Sequence, residues 1–221
     1  MDMKEAMEQR HSVRVYSDKP IEPEIVGKLK AVIDDCNREG GLHFQLITDE
    51  PKAFSGFMAH YGKFSGVKNY VALVGKRGDD LQEKAGYYGE KVVLAAQTLG
   101  LNTCWVAMTY KKVKTAFSTE KDEKLCCVIA LGYGATQGSG HKIKSVAEVS
   151  SAENPPAWFI EGVRAALLAP TAMNQQKFRF ILNGDTVRAE TASGFYSKID
   201  LGIARLHFEL GAGVENFRWE R

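Results

Sequence analysis

None of the four cysteines, Cys36, Cys104, Cys126 and Cys127, stands in a C-x-x-C pair, which excludes a zinc ribbon or a thioredoxin-type motif. A charge excess is missing too. Lys plus Arg is 29 and Asp plus Glu is 27, leaving +2 with neutral histidines, too little for general affinity for nucleic acid, so any basic site must be local. The opening residues MDMKEAMEQRHS lack the apolar core of a signal peptide. Free thiols and a cytoplasmic setting are therefore expected. Val92 to Tyr110 carries no charge, but Gln97, Gly100, Asn102 and Thr103 interrupt it. A buried helix followed by a buried strand is predicted there, not a membrane span. Several catalytic signatures are absent: H-E-x-x-H, G-x-S-x-G, and the third glycine that Gly132-Tyr133-Gly134 would need, because Gln137 stands in its place. Gly134 to Lys142 misses the P-loop register. The histidines at 11, 43, 60, 141 and 207 show no metal-ligand spacing, so no metal site is assigned, and His43 and His207 read as packing or surface residues.

What is present is ordinary globular composition, 44% hydrophobic and 25% charged over 221 residues. One domain over 1–221 is expected, with a first half of about 1–150 and a second of about 151–221. Helices are predicted at Met3 to Gln9, Pro20 to Asn37, Ala53 to Tyr61, Leu81 to Leu99 and Tyr110 to Phe117. Strands are predicted at Leu42 to Ile47, Asn69 to Val74, Leu101 to Ala107 and Leu125 to Tyr133. Gly134 to Ser151 reads as a loop. The second half repeats the first. At an offset of 134, Ile25, Leu29, Ile33 and Phe44 fall on Phe159, Val163, Leu167 and Phe178. At an offset of 113, Gly89 and Gly100 fall on Gly202 and Gly213. Two related halves packed about a pseudo-twofold axis are the natural outcome.

Three segments carry chemistry. Arg10-His11-Ser12-Val13-Arg14 puts residues 10, 12 and 14 on one side of an extended chain, a face able to grip phosphate. Lys142 and Lys144 form a second basic pair behind a glycine-rich approach. Ala169 to Phe178 ends a helix at Pro170 and then brings the amides of Asn174 and Gln176, suited to a ring with alternating donors and acceptors.

Together these segments resemble the FMN-dependent nitroreductase family. The family's R-x-S-x-R-x-[FY] appears as Arg10, Ser12, Arg14 and Tyr16, and its A-P-S-A-x-N-x-Q-P-W-x-F as Ala169 to Phe180. Its L-G-L-G-T-C-W appears as Leu99 to Trp105, and its late G-Y-P…K-x-R as Gly132-Tyr133-Gly134…Lys142-Ile143-Lys144. In ordinary members the asparagine motif closely follows the arginine motif, and two subunits share each flavin. Here the offset of 134 places Gly40 where Asn174 should be and Leu42 where Gln176 should be, and the second half has no R-x-S-x-R. Each half lacks what the other keeps. The chain therefore resembles the fused, pseudodimeric nitroreductases of thermophilic bacteria, with one flavin site built across its halves.

The resemblance implies an α+β fold of mixed, largely antiparallel sheets flanked by helices, forming an internal pseudodimer. It implies FMN, with NADH or NADPH as hydride donor and a small nitroaromatic or quinone as acceptor. Nucleic acid and membrane are not expected as partners, and the chain would be a monomer or a homodimer. Arg10, Lys142 and Lys144 would hold the phosphate, with His11 and Ser12 beside it. Arg14 would face the pyrimidine carbonyl, where negative charge builds on reduction. Pro170, Thr171, Ala172, Asn174 and Gln176 would form the wall from the second half. Trp105, Val106, Ala107 and Met108 would line the other side of the ring, with backbone N–H groups near Ala107 and Met108 reaching N5. No side chain is assigned as catalytic acid or base, because the flavin carries the hydride. The alternative is a flavin-binding or redox-sensing module without turnover, and a third reading is a relic that holds no flavin.

Overall fold

A computed structural model describes residues 1–220. Its first long helix shows how local sequence sets local structure. Helix α2 (Pro23–Gly40), which follows the short α1 (Met3–Gln9), opens on a proline in its first turn and buries Leu29, Ile33 and Cys36 along one face. Gly41, at φ 62°, ends it in the left-handed conformation and donates its N–H to Asn37. The Asn37 side chain then exchanges two hydrogen bonds with the Phe44 backbone, at 2.7 and 3.0 Å, and so aims the chain into strand β1 (Gln45–Ile47).

The first sheet also contains β2 (Asn69–Lys76), β3 (Asn102–Val106) and β4 (Glu123–Gly132). Its order is β1-β2-β4-β3 and every pairing is antiparallel. Strand alternation splits it between two cores. Val71, Leu73, Ile129 and Leu131 face the helices and the second half. Tyr70, Ala72, Val74, Val128 and Ala130 face Val13, Phe54 and Phe64. The excursion from 48 to 68, with the short helix α3 (Phe57–Tyr61), covers that second face.

The second half begins with α5 (Val146–Val149), β5 (Ser150–Ser151) and α6 (Ala157–Leu167). A hairpin of β6 (Phe178–Asn183) and β7 (Thr186–Thr191) turns through Gly184 at φ 65°, and β8 (Arg218–Trp219) closes the half. The sheet order is β5-β6-β7-β8, parallel at its two outer pairings and antiparallel within the hairpin. The fold is thus α+β with mixed, largely antiparallel sheets.

Helices α4 (Leu81–Thr98) and α7 (Ser197–Ala212) cross at the centre. A Cβ on Gly86 would lie 2.1 Å from the Ile199 carbonyl oxygen, and one on Gly202 would lie 2.0 Å from that of Glu83. The offset of 113 maps Gly86 onto Ile199, so one of these two close approaches falls where one half meets its own equivalent, as a pseudo-twofold axis requires. Both helices stop at a glycine of positive φ, Gly100 at 80° and Gly213 at 78°. The offset of 134 likewise maps the start of α2 onto the start of α6. The two offsets differ because the second half has only the tight turn at Gly184 where the first half has the excursion from 48 to 68.

Several boundaries differ from the sequence expectation. Tyr110 to Phe117 forms turns, not a helix: the N–H of Lys111 reaches out to the Ala53 carbonyl at 2.7 Å. The expected helix over Ala53 to Tyr61 breaks at Ser55-Gly56 into a 3-10 turn (Lys52–Phe54) and α3. The strand at Leu42 to Ile47 shortens to β1, with Leu42 making one isolated bridge to Gly75. The segment Gly134 to Ser151 contains α5 and β5, opened by a capping box between Ser145 and Glu148. Among the described residues, no helix is long and apolar enough to cross a membrane. All four thiols are free.

Candidate functional site between the two halves

The N-terminal motif leaves α1 in extended conformation and lies beside β3. Ser12 bridges Thr103, and the Val13 N–H donates to the Thr103 carbonyl at 3.0 Å. Residues 10, 12 and 14 lie at graded depth. Arg10 is 3% exposed, Ser12 is half-buried near the Cys104 thiol, and Arg14 is exposed with its guanidinium 5.9 Å from the Phe64 ring centroid. The Arg10 Nε has no hydrogen-bond partner. Burial, then the charge of Arg10 and the neighbouring His141, lower the pKa of His11 and favour its neutral form.

The glycine-rich segment after β4 crosses this motif. Asn102 anchors its start, accepting from the Gly134 N–H at 2.9 Å and donating to Gln137 at 3.0 Å. A Cβ on Gly138, at φ 73°, would lie 2.8 Å from the Cβ of His11 and 3.0 Å from the Ser12 carbonyl oxygen, so only glycine fits there. His141 then lies 3.1 Å from the Leu167 carbonyl at the end of α6. The segment thus runs from the first half's arginine motif onto the second half.

It docks there on the asparagine motif. Asn174 and Gln176 both donate to the Lys142 carbonyl, at 2.8 and 2.9 Å. Gln176 Oε1 accepts from the Lys144 N–H at 3.0 Å, and Nε2 also donates to Asn174 Oδ1 at 2.8 Å. Lys144 Nζ donates to the carbonyls of Gln175 and Gln176, at 3.2 and 2.8 Å. Gln176 is buried, with its amide spent on the loop, so here it holds the basic pair in place. Asn174 is exposed, as is Lys142. Met173, Asn174 and Gln176 all have positive φ, at 52°, 55° and 43°. Such conformations cost on the order of 1 kcal/mol each in a non-glycine residue and persist only where surrounding contacts enforce them. Gln176→Ala should therefore lower stability by about 2–3 kcal/mol, since it takes the acceptor from the half-buried Lys144 N–H and the contacts that enforce the turn. Urea unfolding measures this, and a change below about 0.5 kcal/mol would contradict it.

Asp200, in the first turn of α7, supplies those contacts. Its carboxylate accepts from the Ala172 N–H at 3.0 and 3.1 Å and from the Gln175 amide at 2.6 Å. Gln175 also donates to the Phe195 carbonyl, and Thr171 Oγ1 accepts from the Gln176 N–H at 3.1 Å. Burial raises the Asp200 pKa from 3.8 to about 6, outweighing the hydrogen bonds that would lower it. The folded chain therefore holds this proton more tightly than the unfolded one. The stability it contributes is complete below about pH 4 and is lost as pH rises through 6. At about 1.4 kcal/mol per pH unit the loss approaches 3 kcal/mol. Asp200→Asn should show no such loss, so stability of the parent minus that of the variant should fall between pH 4 and 6.5. A flat difference would refute it.

The third wall is placed differently from the expectation. The Trp105 indole turns inward, donating from Nε1 to Glu90 at 2.8 Å and packing over Gly89. Val106 is buried in the opposite core, Ala107 is half-buried, and Met108 is exposed. Pro170 and Ala172 are half-buried in the second-half turn. A cavity of about 490 Å³, lined by Tyr16, Pro20, Ile21, Lys68 and Asn69 among others, includes none of the predicted site residues. One of about 380 Å³ reaches Lys144 and Gln176.

Glu90, His207, Gln175 and Asp200 are partners that sequence reasoning missed. Glu90 carried a readable signal: it shares the helical face of Gly86, Gly89 and Val93, and small residues on one face mark a close helix contact. An acid there is buried.

The model of the family described as "Putative TM nitroreductase" matches residues 2–212. No curated protein matches the chain. Among solved structures, a Thermotoga maritima protein described as a "putative nitroreductase" superposes with a TM-score of 0.66 at 23% identity, covering 96% of this chain and 83% of that one. A Desulfovibrio desulfuricans protein of the same description, solved in complex with FMN, gives a TM-score of 0.56 at 21% identity over 71% of this chain and 99% of its own. A Bacteroides thetaiotaomicron protein described as a "Putative NADH dehydrogenase/NAD(P)H nitroreductase" gives 0.52 at 22% identity over 69% and 96%.

Proposed function

Since the chain belongs to the TM nitroreductase family, we propose that it is an FMN-dependent oxidoreductase that passes hydride from NADH or NADPH to a nitroaromatic or quinone acceptor. The observation that carries this reading is the continuous connection from the arginine motif, at His11 and Ser12, through Gly138 and Lys142 to Asn174. It gathers basic residues of the first half against the amides of the second, with one buried guanidinium nitrogen still lacking a partner.

That donor set suits a phosphate dianion. Arg10 offers a planar fork, and Lys142 an exposed ammonium on a loop held by Asn174 and Gln176. Lys144 has one Nζ hydrogen beyond the two it gives to the second-half carbonyls. Ser12 brings a hydroxyl, and the exposed Arg14 guanidinium would stabilise negative charge on the ring. Thr171 and Asn174 would meet the ribityl chain or the pyrimidine edge. The half-buried Ala107 and the exposed Met108 would flank the acceptor, with Trp105 and Val106 supporting them from behind. Bound FMN would supply the hydride-accepting ring. The family descriptions of the relatives solved with FMN and named for NAD(P)H are consistent with this reading. Both walls come from one chain, so a second copy would not be needed to complete the site.

The visible spectrum of the purified protein, before and after addition of FMN, is the first test. NADH and NADPH oxidation with menadione or nitrofurazone as acceptor is the second. Yellow protein with steady turnover is expected. Yellow protein without turnover would favour the flavin-binding module, and protein that stays colourless with FMN would overturn the reading.

A further inference from the structure

Glu90 sits fully buried on the face of α4 that packs against the second half. Both of its oxygens are engaged. Oε2 accepts from Trp105 Nε1 at 2.8 Å, and Oε1 lies 3.0 Å from Nε2 of His207 on α7, which is equally buried. The other ring nitrogen of His207, Nδ1, lies 3.1 Å from the Ala165 carbonyl. A carbonyl only accepts, so Nδ1 carries a hydrogen, and Nε2 needs its own to donate to Oε1, which makes the contact that of an imidazolium with the Glu90 carboxylate. Arg10 Nε is 3.8 Å from the same Oε1, within ion-pair range but beyond a hydrogen bond.

This arrangement is unusual for a buried Arg and Glu. Left to themselves they would close to a charge-assisted contact of about 2.7–2.9 Å, which would occupy the guanidinium's donors. Here the carboxylate is pinned from two sides, and Arg10 Nε is left unpaired. We propose that Glu90 is a restrained counter-charge: His207 and Trp105 hold it where it offsets the charge of buried Arg10 without taking the donors that a phosphate needs. The inference rests on the reading of Arg10 as a phosphate ligand. Glu90 and His207 act through Arg10 and are positioning residues. The second half then shapes the phosphate site twice, through the loop at Asn174 and through His207.

Opposite effects follow for the two partners. Removing the hold should free Glu90 to capture Arg10, whereas removing the carboxylate should take away the competitor. His207→Leu is therefore expected to weaken FMN binding by about tenfold, near the value of one charge-assisted contact. Glu90→Gln should lower the melting temperature, because Arg10 loses its counter-charge, yet bind FMN at least as tightly as the parent. The double variant should bind like Glu90→Gln alone. His207→Gln, whose amide can still donate to Oε1, should restore most of the affinity.

Titration of FMN followed by flavin fluorescence, with a thermal melt of each variant, reads these effects separately. The proposal is overturned if His207→Leu binds like the parent, or if its loss persists in the double variant, as simple packing damage would cause. Should His207→Leu fail to fold, His207→Asn, too short to reach Glu90, takes its place. If the parent itself binds no FMN, the phosphate reading fails, and the restraint is still read in the flavin-free chain. The melting-temperature coupling between Arg10→Gln and Glu90→Gln should then be larger in the His207→Leu background than in the parent, and equal couplings would refute it.

Discussion

Arg10→Ala is expected to reduce affinity for FMN by about 2–3 kcal/mol, a loss of roughly 30- to 150-fold, the scale of a hydrogen bond to a charged group. Three observations set that size. The residue is 3% exposed, so its interaction with an anion is poorly screened by water. Its Nε has no partner inside the protein. The nearest carboxylate is held at 3.8 Å by other residues. Arg10→Lys should recover only part of the loss, since an ammonium keeps the charge but not the planar fork. Lys142→Ala should cost less, because that side chain is exposed and its interactions are screened. Asn174→Ala should weaken FMN as well, although it lies in the other half, because its amide holds the Lys142 carbonyl at 2.8 Å. Calorimetric titration distinguishes the cases. Unchanged affinity in the Asn174 variant would end the idea of a site shared between the halves.

Gly202→Ala should cause the largest loss of stability, about 3 kcal/mol. The added Cβ would lie 2.0 Å from the Glu83 carbonyl oxygen and 2.8 Å from the Tyr87 nitrogen. Both are helix backbone, which cannot swing aside as a flexible side chain does, so α4 and α7 must move apart. Every contact across the crossing shifts with them, including His207 to Glu90. FMN affinity should fall along with the melting temperature. Gly27→Ala is the control: it lies within α2, nothing stands within 4 Å of the new Cβ, and removing glycine from a helix interior should add about 0.5–1 kcal/mol. Equal melting temperatures for the Gly202 variant and the parent would show that the crossing is looser than its backbone distances imply.

Most helices and strands were legible because their apolar spacing matches the periods of 3.6 and 2. The exceptions are segments held by distant partners. Tyr110 to Phe117 has helix-compatible residues, but the Lys111 N–H is claimed by Ala53, 58 positions earlier, and the chain turns. The motif residues were legible as types. Their directions were not. Trp105 reads as a wall of a ligand slot, yet its indole faces Glu90 on α4. Gln176 reads as a recognition amide, yet it is spent on the Lys142 and Lys144 backbone.

The chain alone determined the elements, the two offsets that expose the related halves, and the unequal division of the arginine and asparagine motifs between them. All of these are local or periodic properties, set by propensity, spacing and residue identity. Only the tertiary structure decided which polar groups remain free. Hydrogen bonds are directional and saturable, and the partners that consume them here, Lys142 for Gln176 and His207 for Glu90, lie 34 and 117 residues away.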